Sequence, residues 1–139
     1  MAGRFRIFGA ELSPYSVKVR AYFRFKQIPH QWIIRSAAVQ EEFNRYAKLP
    51  IIPLVVTPSA EGLQDSTLVI ENLETHYPEN SIYPTDTTLN FVSTLLEEFG
   101  DEWGNKWMFH MRWAKEIDQL SSARRIAQLT LPDADETTL

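Results

Sequence analysis

Within the first eighty residues, short β-prone apolar runs alternate with stretches whose apolar residues recur at helical spacing, and this order constrains the fold most. Phe5-Arg6-Ile7-Phe8 is a β-prone run that ends at Gly9. Ser13-Pro14 opens a helix, because Ser caps well and Pro is tolerated at the first helical position. Tyr15, Val19, Tyr22 and Phe23 then share one face until Ile28-Pro29 stops the helix. Trp32-Ile33-Ile34 reads as a second strand, and its unbroken apolar character predicts burial on both faces, as in a parallel sheet covered by helices. Ala38 to Lys48 reads as a second helix with Val39, Phe43, Tyr46 and Ala47 on one side. Leu54-Val55-Val56-Thr57 is a third strand, Pro58 to Gly62 a hairpin-length turn, and Leu63-Gln64 a short fourth strand. Asp65-Ser66 caps a third helix, in which Val69, Leu73 and Tyr77 align before Pro78 closes it.

The order βαβαββα predicts an α/β domain. Strands separated by helices pair in parallel and strands joined by a tight turn form a hairpin, giving a four-stranded mixed sheet with helices on both faces. The predicted division is a domain over 1–78, a linker over 79–87 rich in Pro, Ser, Thr and Asn, and a helical part over 88–139. In the last part Val92, Leu95, Leu96, Phe99, Trp103 and Trp107 form an apolar stripe along one helix that also carries Gly100 and Gly104. Trp103, Trp107, Trp113, Phe109 and Met111 read as core or interface packing. The run ARRIAQL is long enough for a short helix before an acidic, frayed DADETTL tail.

Composition narrows the chemistry. With no cysteine, the chain has no disulfide, no thiolate metal site and no protein thiol nucleophile. Fourteen basic against eighteen acidic residues leave a net charge of −4, which argues against nucleic-acid binding through a general basic field. No stretch is long and apolar enough for a signal peptide or a membrane span, so a cytoplasmic protein is expected. His110 with Glu98, Asp101 and Glu102 reads as part of a solvated helix face rather than a metal site, and Arg124-Arg125 as a surface pair.

Three separated motifs, SPYSVKVRAYFRFKQIPHQWIIR, IIPLVV and LQDSTLVIENLE, resemble the N-terminal domain of the serine-type glutathione transferases over roughly residues 4–78. The later WGNKWMFHMRW run resembles the start of that family's all-α second domain. The resemblance implies a thioredoxin-like domain that binds reduced glutathione and activates its thiol for attack on a hydrophobic electrophile. It makes Ser13 the catalytic residue, donating a hydrogen bond to the glutathione sulfur from a helix N-terminus that already favours an anion. Ser16, one turn on, is the backup and otherwise a plain helix-surface serine. The resemblance makes Pro53 a cis-proline, with Pro50 nearby as the second candidate for that bond, and has the Ile52 backbone pair with the cysteinyl part of glutathione like an added strand. It gives Ser66 the γ-glutamyl carboxylate and Asp65 the ammonium group; by residue type alone both are helix caps.

Two departures qualify that picture. Where the family often places Lys or His against the glycyl carboxylate, this chain has Gln40 and Ile51, with Lys48 or Arg45 as substitutes. About 55 residues follow a linker ending near 84, so the pocket for the electrophile is expected to be incomplete and the exposed helix faces to favour a homodimer. Glutathione serves as co-substrate, and no metal or other cofactor is implied. The alternative is a catalytically silent transferase-like module whose Trp-rich helix mediates protein–protein contacts.

Overall fold

In the computed structural model, which describes residues 3–130, β1 (Phe5–Gly9), β2 (His30–Ile34), β3 (Leu54–Val56) and β4 (Gly62–Gln64) form one sheet in the order β2-β1-β3-β4. β1 pairs with β2 in parallel and with β3 antiparallel, and β4 is antiparallel to β3, so the sheet is mixed as the element order predicts. The alternation of side chains divides the core between two faces. Phe5, Ile7 and Val55 pack with Val19 and Phe23 of α1 (Pro14–Phe25) and with Val69, Ile70 and Leu73 of α3 (Ser66–His76). On the other face Phe8, Leu54 and Val56 pack with Phe43 of α2 (Gln40–Tyr46), Phe8 and Phe43 meeting edge to face. Each of these buried side chains contributes up to about 1.5–3 kcal/mol. The fold is the thioredoxin-like one, two helices on one face and one on the other.

Local chemistry sets the helix ends. Ser13 caps α1 by accepting from the Ser16 amide at 3.2 Å, and Pro14 fills the first position, where no amide is required. After α1 the chain passes through Gln27 in the left-handed region, at φ 54°.

The structure corrects four expectations. β2 is an edge strand; Trp32 and Ile33 are only half-buried and Ile34 is 42% exposed. A short apolar run looks the same whether one or two strands flank it. The predicted helix over 38–48 is a 3₁₀ turn at Ala37–Val39 followed by α2, which stops at Tyr46, leaving Lys48 and Leu49 in a loop ahead of Pro50. Ser16 is fully buried rather than on the surface, because it lies on the face of α1 that carries Val19 and Phe23. ARRIAQL belongs to a longer helix, Glu116–Thr130.

The chain divides into two compact units, one up to Asn80 and one from Ser81. The second holds α4 (Thr87–Phe99), capped by Asp86 through the Leu89 amide at 2.9 Å, then a π-helical turn at Gly100–Gly104, α5 (Asn105–Ala114) and α6 (Glu116–Thr130). The wider turn falls at the two glycines, where helix propensity is lowest. Of the two packing roles read for the aromatic residues, core or interface, Trp103 and Trp107 are not in a core here, each being more than half exposed. The acidic DADETTL tail lies outside the described residues.

Gly62 marks the tightest approach in the first unit. A Cβ there would stand 2.1 Å from the Tyr46 carbonyl oxygen, a backbone atom that cannot swing aside. Gly62→Ala is expected to cost about 1–3 kcal/mol through overpacking, measured by denaturant unfolding. A loss below ~0.5 kcal/mol would mean that α2 does not press on β4 in this way.

Candidate functional site

Strand register brings the three sequence motifs to one end of the sheet. Phe8 lies opposite Leu54, and Leu54 opposite Gln64, so one row crosses β1, β3 and β4. Because β1 and β4 run against β3, the segments that follow β1 and β4 and the one that precedes β3 all leave the sheet beyond that row. Those segments carry Ser13, Ile52-Pro53 and Asp65-Ser66. A hydrogen bond of 3.2 Å from Lys18 Nζ to Thr67 Oγ1 ties the beginnings of α1 and α3 together, so two positive helix ends stand side by side.

Each expected residue has a definite setting. Ser13 is half-buried at the cap of α1. Accepting from the Ser16 amide occupies an oxygen lone pair and leaves the O–H proton to donate. The Ile52–Pro53 bond is cis, with Pro53 buried and Ile52 half-buried directly ahead of β3. Asp65 Oδ1 accepts from the amides of Thr67 at 3.0 Å and Leu68 at 3.2 Å. The cap bonds therefore go past Ser66, which is buried in the first turn of α3. Asp65 has φ 75° and ψ 120°, a conformation that costs about 1–3 kcal/mol in a non-glycine residue and persists where its surroundings enforce it.

Sequence reading passed over three supports of this end of the sheet. The first is Gln64, whose side chain spans to the loop at 48–51 by hydrogen bonds of 2.8–3.0 Å. As the last residue of a short strand, it carries no local signal of that role. The second is Arg35, just beyond β2, whose amide donates to the Gly9 carbonyl at 2.8 Å. Its guanidinium donates to Gln40 Oε1 at 2.5 Å and lies 4.2 Å from the centre of the Phe43 ring. A cation thus adjoins Gln40, the position at which the sequence seemed to lack one.

The third support fixes the loop that leads to Ser13. Arg20 reaches from α1 to Glu11 with two hydrogen bonds, 2.5 and 2.7 Å, and lies 4.2 Å over the Trp32 ring. The hydrogen bond from Arg20 holds the Glu11 carboxyl below its ordinary pKa of 4.5. A group depressed in the folded state stabilises the fold above its unfolded pKa and loses that contribution as pH falls through its folded value. The stability difference between the wild type and Arg20→Ala is therefore expected at neutral pH and should shrink as pH drops below 4.5, measured as Tm against pH. A difference that stayed constant into acid would assign the effect to packing of Arg20 on Trp32 instead.

Among the described residues, no group of three or more His, Asp or Glu is placed to hold a metal ion. Likewise no helix is long and apolar enough to cross a membrane.

Residues 7–81 match the family model described as "Glutathione S-transferase, N-terminal domain". A curated relative, pyrimidodiazepine synthase of Drosophila melanogaster, is 28% identical over 100 residues, which are 69% of this chain and 41% of that protein. A glutathione S-transferase from Methylobacillus flagellatus, solved with glutathione bound, is 26% identical at a TM-score of 0.58, covering 70% of this chain and 48% of the other. A glutathione S-transferase from Methylobacterium radiotolerans, solved with glutathione sulfonate, is 24% identical at a TM-score of 0.63, covering 70% and 47%. The chain thus spans about half the length, or less, of the relatives it matches.

Proposed function

The chain belongs to the glutathione S-transferase family, its residues 7–81 matching the N-terminal domain, and on that footing we propose that it binds reduced glutathione and activates its thiol. The observation that carries the reading is the convergence of Ser13, Ile52-Pro53 and Asp65-Ser66 at one end of the sheet, beside two helix N-termini. The family uses glutathione as a substrate, and the Methylobacillus relative was solved with it bound.

In this reading the Ser13 hydroxyl donates to the glutathione sulfur, and the N-terminus of α1 favours the thiolate over the thiol. The Ile52 backbone aligns the cysteinyl part as an added strand would. Ser66 takes the γ-glutamyl carboxylate, the Thr67 amide joining it once it leaves its cap bond to Asp65, and Asp65 pairs with the ammonium group. Arg35, beside Gln40, supplies the cation for the glycyl carboxylate. The thiolate then attacks a soft electrophilic carbon of a hydrophobic co-substrate, the sulfur pair forming the new S–C bond while the departing group or conjugated system takes up the displaced pair. A homodimer in the cytoplasm completes the proposal, with the exposed apolar face of α4, including Leu95, Leu96 and Phe99, as the partner surface.

A second reading rests on the exposure of Trp103, Trp107 and Phe109. It makes the chain a silent transferase-like module that uses this aromatic surface to hold a protein partner.

Ultraviolet titration of the thiolate separates the two. With saturating protein, the glutathione thiol is expected to ionise at lower pH than free glutathione does, and Ser13→Ala should restore the free value. A thiol that ionises identically with and without the protein would remove the activating role.

A further inference from the structure

We propose that Gln64 is a positioning residue of the glutathione site, a clamp that sets the loop at 48–51 and through it the backbone of Ile52. The inference rests on the glutathione reading and adds a residue to it. The loop runs between Ala47 and Ile52, which pack against the core, and its own residues lie outside that core. Lys48, Leu49, Pro50 and Ile51 are all exposed, so none of the four is buried in the core. The segment also borders a cavity of about 730 Å³ lined by Leu49, Ile51, Leu68 and Asn72, so it lacks close packing on that side.

One carboxamide compensates for this. Gln64 Oε1 accepts from the Lys48 amide at 2.8 Å and from the Leu49 amide at 3.0 Å. Its Nε2 donates to the carbonyls of Leu49 and Ile51, both at 2.8 Å. Both lone-pair directions of the oxygen and both protons of the nitrogen are thereby used, and only an amide offers that set of two acceptors and two donors. Gln64 is also rigidly placed: it pairs with Leu54 in the sheet and immediately precedes Asp65. The two halves of the proposed site, the Ile52 backbone and the Asp65-Ser66 helix end, are therefore registered to each other by this side chain in addition to the sheet pairing. Holding such groups in advance removes the ordering cost that binding would otherwise meet.

The test uses Gln64→Met, which keeps most of the volume and loses all four hydrogen bonds, and Gln64→Asn, which keeps the chemistry but is one methylene too short. Amide hydrogen exchange is read at Lys48, Leu49 and the β1 and β3 cores, and reduced glutathione is titrated by calorimetry. The expected result is fast exchange confined to Lys48 and Leu49, with glutathione Kd raised roughly tenfold or more in both variants. The pKa of the bound thiol should stay at its wild-type value, because Ser13 lies on another element, and a general loss of structure would not spare it. Wild-type affinity in Gln64→Met would overturn the clamp while leaving the glutathione reading standing. A wild type that binds no glutathione would overturn that reading, and the clamp's role toward the ligand with it. Should neither variant fold, exchange in the wild type still decides: Lys48 and Leu49 amides as fast as unprotected loop amides would refute the clamp.

Discussion

Ser13→Ala is expected to lower turnover of glutathione with a soft electrophile such as an activated aryl chloride about 10²-fold, the effect of removing one donor aimed at an anion. Glutathione affinity should change much less, because Ile52, Asp65, Ser66 and Arg35 hold the rest of the tripeptide in this account. The variant also loses the cap of α1, made to the Ser16 amide at 3.2 Å, at about 1 kcal/mol of stability. Ser13→Thr separates the two effects, since it keeps both hydroxyl and cap. Recovery of most of the rate in Ser13→Thr but not in Ser13→Ala is the predicted pattern. Full turnover in Ser13→Ala would transfer the activating role elsewhere, though not readily to Ser16, which is fully buried between α1 and β1.

The second large effect is on stability. Glu74 of α3 pairs with Lys26 at 2.8 Å and accepts from the Tyr22 hydroxyl at 2.7 Å, and the Lys26 and Glu74 side chains are only 1% and 7% exposed. Glu74→Ala would leave a buried ammonium without its counter-charge and remove the carboxylate to which the Tyr22 hydroxyl donates. Removing one partner of a buried pair costs about 3–5 kcal/mol. The bond of 2.7 Å from Lys26 to the Glu79 carbonyl places the expected loss at the lower end of that range. For a domain whose whole stability is of order 5–15 kcal/mol, the change is severe. Urea unfolding of Glu74→Ala and Glu74→Gln measures it. Gln keeps an acceptor for Tyr22 and should lose less. A loss under ~1 kcal/mol in the alanine variant would mean that water reaches Lys26 in the native state.

Much of the first unit is legible in the sequence, because its local signals agree with one another. Ser13-Pro14 and Asp65-Ser66 announce helix starts by cap chemistry, and both helices begin there. The alternation of Phe5, Ile7 and Phe8 within one short run is what a strand covered on both faces requires. The edge position of β2 was not legible, since pairing order is a tertiary fact that composition of a strand does not encode. Nor was the role of Gln64, which depends on the topology bringing residues 48–51 beside the end of β4. The burial of Ser16 did leave a signal: with Val19 and Phe23 it falls at i, i+3 and i+7, the spacing of one helix face. In the second unit the apolar stripe predicts helices correctly, but periodicity cannot say whether such a face meets a core. There Trp103 and Trp107 remain exposed.

The site itself was legible only in part. Ser and Asp at helix starts are caps before they are ligands, and an Ile-Pro pair is cis in only about 5–6% of cases. The resemblance supplied the roles of Ser13, Ile52 and Ser66. The geometry adds that their segments share one end of the sheet, with Arg35 beside Gln40 and strained Asp65 next to the Gln64 clamp.

Calorimetric titration of reduced glutathione into the whole chain, with Ser66→Ala alongside, tests the central claim most directly. The account predicts one saturable site in the sub-millimolar to low-millimolar range, about −3 to −6 kcal/mol, weakened several-fold or more in Ser66→Ala. No heat from a folded chain, or equal binding by both proteins, would contradict it.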